Sequence, residues 1–304
     1  MSKPKFYLTV GVSASGKTTW ANEQLKNDEQ NGISTININR DDIRFNHVLP
    51  GSNWTTYKFT KARETEVSEI ALQQFNNAVE MNYNIIVSDT NLNPTYRDAW
   101  INRAIVAGYE VIIKEFPITL EEAWKRDAAR GNGVGQTTIY QQYKLWQEYI
   151  GVKKYVPAEY KPKAIIVDVD GTIANRVGRN PFEWEKVGQD SPRSFIIDMI
   201  TNYCKYYKTH NLVFLSGRDS ICRQETIDWI AEHFNLPKDG VEIYMRAEGD
   251  MRKDTVIKEE LFWEHIEPTY NVIGAFDDRP VIVRLWHTLG IPNVICVSDP
   301  YIEF

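Results

Sequence analysis

The eight residues Gly11-Val12-Ser13-Ala14-Ser15-Gly16-Lys17-Thr18 constrain this chain more than any other segment. They match G-x-x-x-x-G-K-[ST] in full, directly after a strand-like run at Lys5–Val10 and before a helical pattern at Thr18–Lys26. Such a loop works only where a strand hands over to a helix. Its glycines let the backbone curl so that N–H groups face bound phosphate, and the helix N-terminus adds its positive end. Lys17 then bridges the outer phosphates of a nucleoside triphosphate, and Thr18 reaches Mg²⁺. Gly11, Ser13, Ser15, Gly16, Lys17, Thr18 and Thr19 are the expected contacts to the ATP phosphates. The loop leaves the phosphate acceptor open.

The rest of the first half continues the alternation. Strand-like runs at Thr35–Asn39, Asn84–Ser88 and Glu110–Phe116 are separated by helical stretches at Thr55–Met81 and Pro94–Ala107. Helices follow at Leu120–Arg130 and Ile139–Ile150. That rhythm argues for a parallel sheet. A stretch rich in Lys and Pro then breaks it, and the pattern restarts. Strand-like runs recur at Ala164–Val169, Leu212–Leu215, Asn271–Phe276 and Val294–Val297, with helical patterns at Phe195–Tyr207, 221–234, 254–266 and Val281–Leu289. The expected organisation is two α/β domains, 1–152 and 163–304, joined by a linker at 153–162.

Composition narrows the function classes. The 304 residues are 42% hydrophobic and 25% charged, which is neither a disordered nor a membrane composition. No apolar run is long enough to span a bilayer, and the N-terminus lacks a signal-peptide pattern. Cys204, Cys222 and Cys296 form no CxxC pair, so a reducing cytoplasm is the expected compartment. The net charge of −6 arises in the second half: residues 1–160 hold 18 basic and 18 acidic side chains, and the remainder 17 and 23. No basic stripe suits the coating of long duplex DNA. Gripping only a nucleic-acid end stays compatible, because few phosphates then need neutralising. An acidic half also suits a divalent cation.

In the first half, Asn39-Arg40-Asp41-Asp42-Ile43-Arg44 closes the second strand, where a parallel sheet forms its ligand crevice. Asp41 there can take a proton from an acceptor hydroxyl, and Arg44 can hold an anionic acceptor. The same residues fit an ordinary helix N-cap by Asp41 or Asp42. Asp89 closes the next strand, where it either assists metal-bound water or caps the helix opening at Pro94. Arg126 and Arg130 lie four apart just before Gly131-Asn132-Gly133, where a lid arginine would meet the transferring phosphate. Solvated charge at a helix end is the other reading.

In the second half, the strand Ala164–Val169 delivers Asp168 and Asp170 into the turn Gly171-Thr172. One carboxylate can attack phosphorus while the other protonates the leaving oxygen and then activates water. Alone, this motif also fits a calcium loop. The order of the later residues decides against it: a strand ending in Ser216-Gly217-Arg218, Lys258 on a helix after Asp254, and a strand ending in Asp277-Asp278. This four-part order is that of the haloacid dehalogenase superfamily of phosphotransferases. Asp168, Asp170, Asp277 and Asp278 are the expected oxygen ligands of a second Mg²⁺.

A phosphate loop followed by such a phosphatase half resembles the bifunctional polynucleotide kinase–phosphatases of T-even phages. The stretches Ile38–Asp42, Ser88–Pro94, Arg252-Lys253-Asp254, Lys258-Glu259-Glu260 and Asp277-Asp278-Arg279 look like that family's own sequence. The resemblance implies a P-loop kinase domain and a Rossmann-like phosphatase domain. It makes Asp41 the base for a 5′-hydroxyl, Arg44 the holder of the adjacent phosphate, and Arg130 the lid residue on the donor phosphates; Arg126, four residues before it, is an expected contact by its spacing. It makes Asp168 the nucleophile and Asp170 the acid/base. Ser216, Arg218 and Lys258 fall at phosphate-binding positions, Asp254 near Lys258, Arg246 at a phosphatase-domain arginine position and Arg179 on the substrate side; Gly217 and Asp89 are further expected substrate contacts from their strand-end places. ATP and Mg²⁺ are the implied cofactors, RNA or DNA ends the substrates, and a ligase the functional partner. A homo-oligomer is implied as well. The alternative is a nucleoside or sugar kinase fused to a small-molecule phosphatase.

Overall fold

The computed structural model describes residues 3–207 and 210–301, and the chain divides into two compact units, Met1–Val152 and Lys153–Phe304. In the first, the elements run β1 (Lys5–Val10), α1 (Lys17–Gln30), β2 (Thr35–Ile38), α2 (Arg40–Ile43), α3 (Lys61–Glu80), β3 (Asn84–Val87), α4 (Pro94–Val106), β4 (Glu110–Glu115), α5 (Leu120–Ala128) and α6 (Gln136–Tyr149). The sheet order is β2-β3-β1-β4, all parallel, with Leu8 opposite Val87 on one side and Ile113 on the other. Phe6 and Leu8 bury against Val67, Phe75 and Ala104 of α3 and α4. Val10 joins a second cluster with Leu120, Ile139 and Trp146 of α5 and α6. Chain packing thus fixes the carboxyl end of β1, where the phosphate loop begins.

The expected long helix at Thr55–Met81 is shorter. Thr60 caps α3 by accepting the Arg63 N–H, so the helix begins at Lys61. Asn53 ties the preceding turn by accepting from the Thr55 and Thr56 N–H groups. Local side-chain acceptors compete successfully with helix propagation there.

The second unit contains β5 (Lys163–Val167), β6 (Ala174–Asn175), β7 (Ser191–Pro192), α7 (Ser194–Tyr207), β8 (Asn211–Asp219), α8 (Arg223–Phe234), β9 (Glu242–Arg246), α9 (Asp254–Leu261), β10 (Asn271–Asp277), α10 (Pro280–Leu289) and β11 (Val294–Cys296). The main sheet, β11-β10-β5-β8-β9, is all parallel, and β6 and β7 form a small antiparallel hairpin beside it. Strand β5 alternates faces: Ile165 and Val167 enter the cluster with α7 and α8, while Ala164 and Ile166 enter the cluster with α9 and α10. A strand covered on both faces must be apolar throughout. Strand β9 has no counterpart among the expected elements. Its Ile243 and Met245 point inward between partly covered Glu242, Tyr244 and Arg246, an alternation present in the sequence.

Residues 153–162, expected as a linker, run as a strap anchored on the second unit by Tyr155, while Val156 and Tyr160 stay exposed. Tyr155 is buried among Phe262, Ile266 and Trp286. Its N–H donates to the Leu289 carbonyl, and its hydroxyl accepts from the Val272 N–H at 2.7 Å and lies 3.2 Å from Asn271 Oδ1. Tyr155→Phe would strand a buried backbone N–H, a loss of about 1–3 kcal/mol. Chemical denaturation should read that loss, and unchanged stability would show that the strap carries no weight.

Candidate active sites

The loop between β1 and α1 turns on two special residues. Gly16 lies at φ +101°, a left-handed conformation that glycine adopts without strain. Gly11 has no such φ, but a Cβ there would sit 2.9 Å from Ser15 Oγ and 3.0 Å from Phe116. Lys17 is buried and folded back on its own loop, donating to the Val12 carbonyl and to Ser15 Oγ. Burial lowers its ammonium to about 8, with Asp89 and Asp41 opposing and Arg130 adding to the effect. An arriving polyphosphate would reverse that balance. The Ser13 N–H meets Gln142 Oε1 of α6 at 2.7 Å, and Thr18 and Thr19 stand on the first turn of α1. A cavity of about 1610 Å³ opens over Ser13, Lys17, Thr18 and Thr19 and reaches Asp41, Arg44, Asp89, Arg126 and Arg130.

The structure assigns the helix caps at the strand ends to other residues. Asn39 caps α2, its Oδ1 accepting from the Asp41 and Asp42 N–H groups at 3.0 and 3.1 Å. Neither aspartate is the cap, and Asp41 turns its carboxylate to the cavity. Burial raises its pKa above the ordinary carboxylate range, with the Arg44 guanidinium opposing. Arg44 donates to Asp41 Oδ1 at 2.7 Å and forks onto Glu64 through Nε at 3.0 Å and Nη2 at 2.7 Å. Glu64 also accepts from the Tyr57 hydroxyl and Arg40. Likewise Asn93, not Asp89, caps α4 by accepting from the Thr95 N–H. Asp89 Oδ1 accepts from the Arg40 N–H at 2.9 Å, and its Oδ2 is buried without a partner. Burial pushes this carboxyl up to about 6.

Arg126 and Arg130 both line the cavity, each paired within α5 or at its end. Arg126 reaches Glu122 at 2.7 Å, and Arg130 is anchored on Asp127. Asp127 also accepts from the Val134 and Gly135 N–H groups, so one buried carboxylate fixes both Arg130 and the turn leading into α6. A Cβ at Gly133 would lie 2.6 Å from the Asp127 carbonyl, closer than a side chain at that position tolerates without a shift of the backbone.

In the second unit, β5 and β10 bring Asp168, Asp277 and Asp278 together, one carboxylate oxygen from each lying within 4.8 Å of the others. Lys258 on α9 is fully buried and donates to Asp168 Oδ1 and Asp277 Oδ2, both at 2.8 Å. Burial opposes its charge, but Asp168, Asp277 and Asp254 outweigh burial and hold it far above the ordinary lysine range. Burial raises Asp168 well above an ordinary aspartate, with Lys258 opposing, and raises Asp278 to about 6, reinforced by Asp277. The Thr172 hydroxyl completes the cradle at 2.8 Å from Asp168 Oδ2. Three buried carboxylates face one lysine, so a hard divalent cation fits the charge and the all-oxygen donor set.

Asp170 does not join that group. Arg218 grips it through Nε at 2.7 Å and Nη2 at 2.9 Å, and Arg179 adds a contact at 3.1 Å. Burial would raise its pKa, but these arginines outweigh burial and leave it lowered. Its side chain, expected among the metal ligands, is held by cations instead of standing with the three clustered carboxylates. Arg218 also meets Asp190 and Thr226, so its donors are occupied inside the protein and not presented at a phosphate. Buried Ser216 accepts from the Arg218 N–H, and strand β8 runs past it to Asp219 instead of ending there. Arg246 is pinned on Gly217, Asp250 and Arg252 carbonyls, and Asp254 bridges Arg246 and Arg279. A Cβ on Gly217 would lie 2.4 Å from Asp254, and one on Gly171 2.0 Å from Asp278.

Residues 162–299 match the family model for the polynucleotide kinase PNKP phosphatase domain, and residues 7–144 match that for an AAA domain. The second half is thus similar to the phosphatase domain of polynucleotide kinases, and the first half to an AAA domain. It is 34% identical over 316 residues to a "Putative bifunctional polynucleotide kinase/RNA ligase" of Autographa californica nuclear polyhedrosis virus. That alignment takes in 100% of this chain and 44% of the viral protein, so the chain spans less than half of that relative. A chain of the Pnkp1/Rnl/Hen1 complex aligns over 99% of both chains at 22% identity and a TM-score of 0.44. A chain of the Pnkp1/Rnl/Hen1 RNA repair complex aligns over 99% of this chain and 98% of its own, at 23% identity and the same score. Among the described residues no helix is long and apolar enough to cross a membrane.

Sequence reasoning missed the residues that hold the candidate site groups in place. Glu64, Asp127 and Asp190 each fix arginines within their own unit. Asp190, with no exposed side-chain surface, forks onto Arg179 and also binds Arg218. Lone acids in loops and helix faces carry no spacing signal. Asn39 and Asn93 were findable, since each stands directly before a helix start.

Asp89 generates a testable trade-off. Its folded carboxyl keeps a proton up to about pH 6, whereas an unfolded aspartate loses it near 4. The group therefore favours the folded state below about pH 4, and that stability is lost as pH rises through 6. Asp89→Asn keeps the acceptor for the Arg40 N–H and should raise stability at pH 7.5 by about 1–3 kcal/mol. The gain should shrink toward pH 4. Denaturation curves at both pH values check this, and equal gains at both would contradict it.

Proposed function

We propose that this chain heals nucleic-acid ends, adding phosphate from ATP to a 5′-hydroxyl in its first unit and removing a 3′-phosphate in its second. The observation that carries this reading is a complete constellation in each unit, on a chain whose second half has the phosphatase fold of polynucleotide kinase–phosphatases. Opening of a 2′,3′-cyclic phosphate is proposed as a further activity of the same second site.

In the first unit, the loop N–H groups, Lys17 and Thr18 hold the donor phosphates, and Arg126 and Arg130 reach them from α5 and its C-terminal end. Asp41 accepts the proton of the 5′-hydroxyl, and its raised pKa makes it a stronger base than a free aspartate. The hydroxyl oxygen bonds to the γ-phosphorus while the bond to the leaving ADP oxygen breaks. Arg44, oriented by Glu64, holds the neighbouring phosphate of the acceptor.

In the second unit, Asp168 attacks the 3′-phosphate in its ionised form, whose charge Lys258 balances at 2.8 Å, and the 3′-oxygen leaves. Asp170 is the group that passes a proton to the leaving 3′-oxygen. It then takes a proton from the water that hydrolyses the aspartyl-phosphate. Bound Mg²⁺ would neutralise phosphate charge; Thr18 in the first unit and Asp168, Asp277 and Asp278 in the second are the residues that would hold it. The products, a 5′-phosphate and a 3′-hydroxyl, are what a ligase joins, and RNA is the proposed substrate class.

Two singly marked oligoribonucleotides test the scheme, one with a 5′-hydroxyl and one with a 3′-phosphate. Asp41→Asn should lower the kinase rate by roughly 10²–10⁴ and leave the phosphatase rate unchanged. Asp168→Asn should do the reverse, because an amide cannot attack phosphorus. If either folded variant loses both activities, the two-site reading fails. Chelation of divalent cations should silence both sites, and either activity surviving it would remove the metal from that site.

A further inference from the structure

We propose that Trp54 and Phe59 form a stacking platform for the first nucleobase of the acceptor strand, beside Arg44 and Asp41; this rests on the polynucleotide reading of the first cavity. The two rings lie nearly parallel, 17° apart with centroids separated by 6.0 Å. Phe45 meets Trp54 edge-on at 5.1 Å, and Tyr57 meets Phe59 edge-on at 5.2 Å. Buried Tyr57 is pinned through its hydroxyl to Glu64, the carboxylate that also orients Arg44. The inner rings therefore form a fixed floor, while Phe59 is 57% exposed. An aromatic face left open to water beside a polar cavity is an unsatisfied surface that a flat apolar ring would cover.

Position identifies the occupant. Phe45, Trp54 and Phe59 line the same cavity as Lys17, Asp41 and Arg44. That cavity, at about 1610 Å³, exceeds the ~300–1,000 Å³ typical of a single small-ligand site. The Arg44 guanidinium lies 5.4 Å from the Phe59 ring centroid and 2.7 Å from the carboxylate expected to deprotonate the acceptor. A nucleotide whose 5′-hydroxyl meets Asp41 and whose phosphate meets Arg44 would have its base beside Phe59. Stacking tolerates any base, because every base has a π-face. The platform thus selects polynucleotide ends over base-free polyols without selecting sequence.

The test compares 5′-hydroxyl oligonucleotides whose first nucleotide carries a base or is abasic, with ATP as donor. The native protein should show a KM lower by roughly tenfold or more for the base-bearing strand, the scale of base–aromatic stacking. In Trp54→Ala and Phe59→Ala that advantage should disappear, with the KM for ATP unchanged, whereas Trp54→Phe should retain it. A purely structural role would weaken both strands alike and leave their ratio intact, which overturns the platform. So does a native protein indifferent to the base while still phosphorylating oligonucleotides. If the native protein phosphorylates free nucleosides but no oligonucleotide, the polynucleotide reading itself fails and the platform falls with it.

Discussion

A parallel sheet covered on both faces has no room for charge along its strands, so its polar residues gather where the strands end. Everything functional in both units depends on that constraint. Val10, Ile38 and Val87 are fully buried, and the next few residues of each strand supply the phosphate loop, the Asn39–Arg44 turn and Asp89. Val167 and Phe276 are likewise buried, and the residues just beyond them are Asp168, Asp277 and Asp278. Apolar packing of the strands holds carboxylates together that would otherwise separate.

Gathering charge at such ends creates a second demand, since a buried ion left alone is costly. The second unit meets it by dividing its carboxylates between two sets of cations. Lys258 serves Asp168 and Asp277, whereas Arg218 and Arg179 serve Asp170 and Asp190. The division separates the two aspartates of one motif into opposite electrostatic surroundings. Burial wins at Asp168 and raises it, while the arginines win at Asp170 and lower it. In the first unit Arg44 plays the corresponding part, tying Asp41 to Glu64.

Much of this was legible in the sequence. The phosphate loop, the acidic motif with its ordered partners and the two β/α alternations are local patterns, because backbone geometry and covalent spacing alone place their side chains on one loop or one strand end. The family resemblance rested on those same patterns, and the matched phosphatase domain agrees with it. Tertiary structure decided the rest. It showed that Asn39 and Asn93 cap the helices, freeing Asp41 and Asp89, and that Asp170 turns from the metal-type cluster to the arginines. It revealed the roles of Glu64, Asp127 and Asp190, docked Tyr155 onto the second unit, and opened the Trp54–Phe59 face beside Arg44. These choices depend on which charges and rings meet once the chain has packed, and covalent spacing alone does not settle such meetings.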